Sequence, residues 1–372
     1  MENEFQNDSY IEINLANIEH NYSNVLKNKI NQDTKVIAVI KSNAYGHGLI
    51  PVAKTLEKLN VDYLGVFNIK EGLRLRASGI KSKILIFGNV KDYEFDKLVK
   101  YDLTPIISTY EELRILDNLP FQDNLKIHIK VDTGMGRLGF LPEEAEEITK
   151  KLYFHNKNIY IEGICTHFSD ASSPEKSYTI KQANTFIALL DNLQKSRVKL
   201  PIIHASNSAA ILNYPEYQFN CVRPGLLLYG VSPFTEDYGL KEALSLHSTI
   251  STIRNIGKNS FISYNCTFST KRESKIAVIP LGYADGIMYS LSNKGSILIN
   301  GNRFPIIGSV CMNQFLVDIT DGNNISSYDK ITIIGKSGNE KISVKEVAKN
   351  ANTIPYEILC RLSGSIKRVY IY

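Results

Sequence analysis

The chain has 372 residues, 43% of them hydrophobic and 22% charged, enough for a full core and a length that suits two domains. Its formal net charge of +5 is spread without a block of like charges, which argues against a nucleic-acid-binding arm or an acidic tail. The polar start Met1-Glu2-Asn3-Glu4-Phe5-Gln6-Asn7-Asp8 is unlike a signal peptide, no apolar run approaches the roughly 20 residues of a membrane span, and five cysteines without a C-x-x-C pair suit thiols in a reducing compartment. A soluble, cytoplasmic protein is expected, with no metal site and with neither nucleic acid nor membrane as partner.

Residues 10–13 alternate as a strand does and are expected to join a sheet formed later in the chain. From about residue 36 to 230, short apolar runs alternate with helical patterns. Strands are expected at 37–40, 63–67, 84–87, 105–108, 126–131, 160–166, 201–205 and 220–222. Between them, segments 111–119, 142–154 and 177–194 carry apolar residues three and four apart. Pro142 followed by Glu143, Glu144, Glu146 and Glu147 is a good helix start, since proline suits the first turn and carboxylates suit the positive end of the dipole. Eight strand-helix units in about 200 residues fit a (β/α)8 barrel with its active site at the carboxyl ends of the strands, and a doubly wound open sheet is the rival.

After about Thr235 helical periodicity fades and short strands separated by Gly, Asn and Ser take over, at 249–256, 261–268, 275–279, 295–299, 304–308, 315–319 and 330–335. Asn300-Gly301 suits a hairpin turn, because both residues tolerate positive φ. A helix is expected at 343–351 and a final strand at 368–372. The expected fold class is therefore α/β, a TIM-type barrel over residues 13–235 followed by a mostly β carboxyl-terminal domain over 236–372, to which a strand from residues 1–12 is added.

Lys41 ends the apolar run Ile37-Ala38-Val39-Ile40 and opens the polar, glycine-bounded turn Ser42-Asn43-Ala44-Tyr45-Gly46-His47-Gly48. By position alone such a lysine is most often a snorkelling surface residue, and a covalent task is the alternative. The whole dodecamer, however, closely resembles the cofactor-lysine signature of the alanine racemase family, whose members carry pyridoxal 5′-phosphate on this residue. Gly134-Met135-Gly136-Arg137-Leu138-Gly139 matches a dinucleotide fingerprint, but Phe140-Leu141-Pro142 separates its glycines from the helix start, which weakens that reading. From Lys130 to Gly139 the same segment resembles a second signature of the racemase family. Thr166-His167-Phe168, the segment from His204 to Ala210, Val222-Arg223-Pro224-Gly225, Ile262-Ser263-Tyr264, the segment from Gly282 to Gly286 and Cys311-Met312 resemble further blocks in the family's order.

The resemblance implies a barrel with a carboxyl-terminal β domain, working as a homodimer in which the second domain of one subunit completes the site of the other. It implies pyridoxal phosphate as cofactor, a small amino acid as substrate, and a role in supplying D-alanine as a peptidoglycan precursor. Lys41 would hold the cofactor as a Schiff base and, once freed, serve one face of the substrate, with Tyr264 from the partner subunit serving the other. Both need lowered pKa values to act as bases near neutrality. His167, bonded to Tyr264 and Arg223, is the family's device for that, and Arg223 would face the pyridine nitrogen. Tyr45, Ser208 and the amides of Gly225 and Leu226 would hold the phosphate, with His204 and Asn207 also on the cofactor side. Asn207 and Ser208 equally suit a helix cap. Arg137 would reach the cofactor's phenolic oxygen or the substrate carboxylate, and Lys130 corresponds to a lysine often carbamylated in the family. Tyr283 and Met312 would line the substrate entrance.

Two departures bear on the substrate. Asn313 stands where the family usually has aspartate, and a gap-free reading puts Gly364 where many members carry a tyrosine that crowds the side-chain pocket. An enlarged pocket that accepts serine or a longer amino acid beside alanine is therefore expected. Two further readings remain, a decarboxylase on the same domain plan and a non-catalytic pyridoxal phosphate-binding protein. Tyr264 and Arg223 argue against the first, and the presence of the second domain argues against the other.

Overall fold

The computed structural model describes residues 9–118, 125–156, 158–362 and 364–372. The first eight residues and residue 119, the end of one expected helix, lie outside them. The chain divides into two compact units, one of Ile18–Ala44 and Leu49–Leu240, the other of Met1–Asn17, Tyr45–Gly48 and Lys241–Tyr372.

After a first strand, β1 (Tyr10–Asn14), come β2 (Lys35–Val39), β3 (Tyr63–Val66), β4 (Lys83–Ile86), β5 (Leu103–Ile107), β6 (Leu125–Lys130), β7 (Ile159–Cys165), β8 (Ile202–His204) and β9 (Cys221–Val222). Each of β2 to β9 pairs in parallel with the next, and Lys35 and Val36 pair with Cys221 and Val222 to close the ring. Closure rules out the open sheet, and with it the dinucleotide fold. All eight expected barrel strands form. Several begin earlier than the apolar runs suggest, because exposed residues such as Lys35 and Lys83 head strands whose ladders start at the rim. Ile37, Tyr63, Leu85, Ile106, Cys165, Ile202 and Cys221 fill the interior as one cluster, so the barrel is a packed core. Among the described residues, no helix is long and apolar enough to cross a membrane.

One irregularity matters below. Between β6 and β7 the register runs Ile127 to Ile161 and then His128 to Gly163, which leaves Glu162 as an extra residue on β7. A parallel bulge is uncommon and re-aims the side chain of the added residue. Gly163 makes room for the imidazole opposite, since a Cβ there would lie 2.7 Å from His128 Cε1.

The other unit is mostly β. Its strands are β10 (Leu244–Thr249), β11 (Thr252–Ile256), β12 (Phe261–Ile262), β13 (Phe268–Ser269), β14 (Ser274–Ile279), β15 (Ser296–Ile299), β16 (Asn302–Ile307), β17 (Phe315–Asp318), β18 (Lys330–Ser337), β19 (Glu340–Ile342) and β20 (Lys367–Ile371). One sheet runs β11-β14-β17-β16-β15-β18-β10-β1-β20, with β19 on β18. The early strand β1 thus joins the late sheet as expected, antiparallel to β10 and parallel to β20. Asn300 (φ 48°) and Gly301 (φ 77°) form the two-residue turn between β15 and β16.

Two expectations are corrected. Segment 249–256 is not one strand, because pairing moves from β18 to β14 between Thr249 and Thr252. Segment 261–268 is a hairpin, because Ser263, Asn265 and Cys266 all have positive φ and fold Tyr264–Cys266 into a tight turn. The helix Pro355–Arg361 and β19 escaped the sequence reading, being short elements of mixed pattern.

Candidate active site

Lys41 stands two residues beyond Val39, at the carboxyl end of β2. That end is pinned by Val39 N donating to Pro224 O (2.9 Å), Ile40 N to Gly65 O (2.8 Å) and the Tyr229 hydroxyl to Val39 O (2.9 Å). The next residues turn the wrong way for L-amino acids, with Ser42, Asn43, Ala44 and Tyr45 all at φ between 51° and 55°. Left-handed helix costs roughly 1–2 kcal/mol per non-glycine residue, so the surroundings must impose it. Within the barrel unit, Ala44 N donates to Ile40 O (2.8 Å), Asn43 N to buried Glu71 (3.3 Å) and Leu49 N to Asn43 Oδ1 (2.9 Å).

Arg223 follows β9 and is 6% exposed. Its Nη1 donates to His204 Nδ1 at 2.6 Å, and its Nη2 to His167 Nδ1 (3.0 Å), Thr166 O (2.8 Å) and Ala205 O (2.8 Å). A guanidinium can only donate, so both imidazoles accept at Nδ1 and carry their proton on Nε2. The electrostatics agree. Burial first, and then the charge of Arg223, hold both histidines well below the ordinary range. His204 donates its remaining proton to His128 Nδ1 (2.8 Å), so both its ring nitrogens are engaged and it acts on Arg223. His167 is steadied by Gln182, whose Nε2 donates to the His167 carbonyl at 3.1 Å.

Lys130 ends β6. Burial, then Arg223 and Arg137, push its ammonium down to about 8 against the opposing pull of Cys165 and Asp132. Arg137 is exposed in the glycine loop, which closes on Asp132 Oδ1 through the amides of Gly134 (2.9 Å), Met135 (2.8 Å) and Gly136 (3.2 Å). Asn207 caps the helix Ser208–Asn213 by accepting from Ala209 and Ala210 (3.1 Å each), and donates to Phe168 O (3.2 Å). Ser208 Oγ accepts from Gly225 N (2.9 Å) and Leu227 N (3.4 Å), bringing the loops after β8 and β9 together beside buried Leu226. These loops are the usual phosphate site of such a barrel. A cofactor with an aldehyde and a phosphate fits this donor set, for a primary amine, a hydroxyl with neighbouring amides, and four cations (Arg223, Lys130, Arg137 and Lys41) acting on His167 are all present.

The β unit carries the remaining candidates. Tyr45 is buried, its ring centroid 5.8 Å from that of Tyr356, and Arg368 Nε donates to the following Gly46 carbonyl at 2.7 Å. Tyr264, in the hairpin turn, is 69% exposed. Tyr283 N donates to Cys311 O (3.0 Å) and Ala284 N to Met312 O (2.9 Å), which sets Tyr283 beside Met312 and exposed Asn313. Gly364 is exposed, and a Cβ built there meets nothing within 4 Å.

His128 and Gln182 were not singled out as site residues by the sequence, and Glu162 stood out only as the acidic residue about 20 positions beyond the glycine motif, as a dinucleotide fold would want. The signal was available for His128 and Glu162, since a histidine flanked by Ile127 and Ile129 and a carboxylate that follows Ile161 need partners if their strands are buried.

Comparison with known proteins gives a consistent result. The family model "Alanine racemase, N-terminal domain" matches residues 13–233, and "Alanine racemase, C-terminal domain" matches 243–370. The alanine racemase of Methanococcus maripaludis is 41% identical over 369 residues, covering 98% of each chain. That of Halothermothrix orenii is 40% identical over 97% of this chain and 96% of its own. Among solved structures, alanine racemase of Clostridium difficile 630 superposes with a TM-score of 0.91 at 37% identity, covering 99% of this chain and 97% of that one. The Bacillus anthracis enzyme with bound L-Ala-P gives 0.89 at 35% identity, covering 98% and 95%.

Proposed function

Since the chain belongs to the alanine racemase family, pyridoxal phosphate-dependent isomerases, we propose how its own residues divide the interconversion of L- and D-alanine. Bound pyridoxal phosphate supplies the electron sink that makes an α-proton removable. Lys41 holds the cofactor and then carries a proton at Nζ on one face of the substrate. Tyr264 of a second copy carries it at the phenolic oxygen on the other face.

The observation that carries this reading is the bond from Arg223 to His167 Nδ1, which leaves a neutral imidazole with a single donor at Nε2. An N–H donor stabilises a phenolate over a phenol, so His167 is equipped to lower the pKa of a tyrosine presented to it. Arg223, which does not give up its proton, would face the ring nitrogen of the bound cofactor and hold it unprotonated, limiting electron withdrawal and side reaction. Ser208 with the amides of Gly225 and Leu226 takes the phosphate, while Arg137 takes an anionic oxygen. Lys130, with its pKa near 8, has a usable neutral fraction to form a carbamate, which would replace one of three neighbouring positive charges by a negative one.

Tyr264 is supplied across a homodimer, a reading supported by the exposure of its ring. The setting is the cytoplasm, and the product D-alanine serves as a peptidoglycan precursor. Free thiols at Cys165, Cys221, Cys266 and Cys311 suit such a compartment. A glycine at position 364, where many members of the family carry a tyrosine that crowds the pocket, is what supports acceptance of serine or a longer amino acid.

The test is to load the enzyme with pyridoxal phosphate, reduce it with borohydride and map the label, then follow α-deuteration and chirality of L-alanine, L-serine and L-lysine in D2O. Label on Lys41 and deuterated alanine of both hands are expected, with serine turned over more slowly. Label on another lysine sinks the assignment. A serine rate that is unchanged in Gly364→Tyr sinks the pocket argument.

A further inference from the structure

A line of buried polar side chains leaves the proposed site and runs through the barrel interior. Arg223 donates to His204 (2.6 Å), and His204 is joined to His128 (2.8 Å). The far nitrogen of His128, Nε2, faces Glu162 Oε2 at 3.6 Å. Neither of these two atoms has a closer hydrogen-bond partner among the described residues. Glu162 Oε1 accepts from Lys83 Nζ at 2.9 Å, and Lys83 also donates to the Tyr63 hydroxyl at 3.1 Å. Lys83, at the start of β4, is half exposed, so the line ends at the barrel rim.

Direction follows from chemistry. The line begins at a group that can only donate and ends at a carboxylate that can only accept, so a neutral imidazole between them has one tautomer compatible with both neighbours. His204 and His128 therefore carry their protons on Nε2, and the last N–H points at Glu162. Burial holds His128 below its ordinary range while Glu162 pulls the other way, which keeps the ring neutral and oriented. The fold makes specific provision for this meeting, because Glu162 is the extra residue of the β6–β7 bulge and Gly163 vacates the space that the His128 ring fills.

We propose that Glu162 is a remote positioning residue for the racemase reaction, its carboxylate fixing the tautomers of His128 and His204 and through them the guanidinium of Arg223 that orients His167. This rests on the reading that Arg223 and His167 serve the reaction. Glu162 touches neither substrate nor cofactor in this account. Its effect is to deny Arg223 an alternative set of partners.

The experiment uses the pyridoxal phosphate-loaded enzyme with 15N-labelled histidine, as wild type, Glu162→Leu, Glu162→Gln and Lys83→Met. Wild type should show His128 and His204 protonated at Nε2. Glu162→Leu, an apolar replacement in an apolar interior, should mix the His128 tautomers, lower kcat about tenfold and leave KM unchanged. It should also raise the pyruvate released per racemisation, each pyruvate leaving its amino group on the cofactor as pyridoxamine phosphate, the sign of a less controlled ring nitrogen. Glu162→Gln can still accept and should fall between, and it carries the test if the leucine variant does not fold. Lys83→Met should resemble wild type. Histidine signals unchanged in both Glu162 variants overturn the proposal, as do changed signals with wild-type kcat and pyruvate partition. Arg223→Lys separates the two failures. If it leaves the partition at the wild-type value, the reading of Arg223 falls. If it shifts the partition and the Glu162 variants do not, the positioning role alone falls.

Discussion

Each chemistry-bearing residue of the barrel owes its state to a partner that sequence places far away. His167 is neutral because it is buried and because Arg223, 56 positions on, donates to it. Two predictions belong at this scale. Tyr264→Phe should abolish proton transfer on one face only, so that α-deuteration from one enantiomer of alanine persists while racemisation falls by roughly 10²–10⁴-fold, the usual contribution of an acid-base group. Exchange lost equally from both enantiomers would show that the faces are not divided between Lys41 and Tyr264. Lys130→Ala should remove the carbamate that orients Arg137 and weaken binding of an anionic inhibitor such as acetate or propionate, read from competitive inhibition. Stronger inhibition would count against Lys130 as a carbamate that orients Arg137. These residue types were legible in the sequence, because motif order marked them. Their protonation was not, because it depends on burial and on which nitrogen meets which donor.

The elements around the site are held by close approaches that few side chains would allow. The left-handed turn at 42–45 leads into Gly46, where φ is +82° and a Cβ would lie 2.2 Å from Leu359 O. Gly46→Ala should therefore destabilise by about 2–3 kcal/mol or more and lower cofactor affinity, measured by urea unfolding and by titration with pyridoxal phosphate. A neutral result would mean that the turn can relax, and that Tyr45 is not fixed by it. Gly163→Ala is the companion test in the barrel, since its Cβ would displace the His128 ring. A loss of about 1–3 kcal/mol is expected there, the range for overpacking. Elements with plain periodicity, such as the helices Pro142–His155 and Ser177–Lys195, were readable beforehand. The hairpin at Tyr264 was not, because its alternation mimics a strand and only three positive φ angles break it.

For the molecule as a whole, the buried titratable groups predict how stability follows pH. His128, His167 and His204 are all lowered from 6.5. Below that pH the unfolded chain takes up protons that the native state refuses, so stability should fall as pH drops under about 6.5. Glu162 is lowered from 4.5 to about 2, where burial, which raises it, is overcome by nearby His128 and by bonds from Lys83 and Tyr63. Its contribution is complete above 4.5 and is lost as pH falls toward 2, steepening the acid limb. Urea midpoints at pH 8, 6 and 5 check the first part. A midpoint that is flat over this range would mean that the histidines titrate as they do in water. Sequence by itself determined the strand count of the barrel, the change to a β domain, the family, and the order of the chemical groups, because apolar periodicity and short motifs are local. Tertiary structure alone decided barrel closure over the open sheet, the hairpin turn at Tyr264, and the line from Arg223 to Glu162. Those depend on register and burial between segments tens to hundreds of residues apart, and no local pattern encodes which donor will face which acceptor.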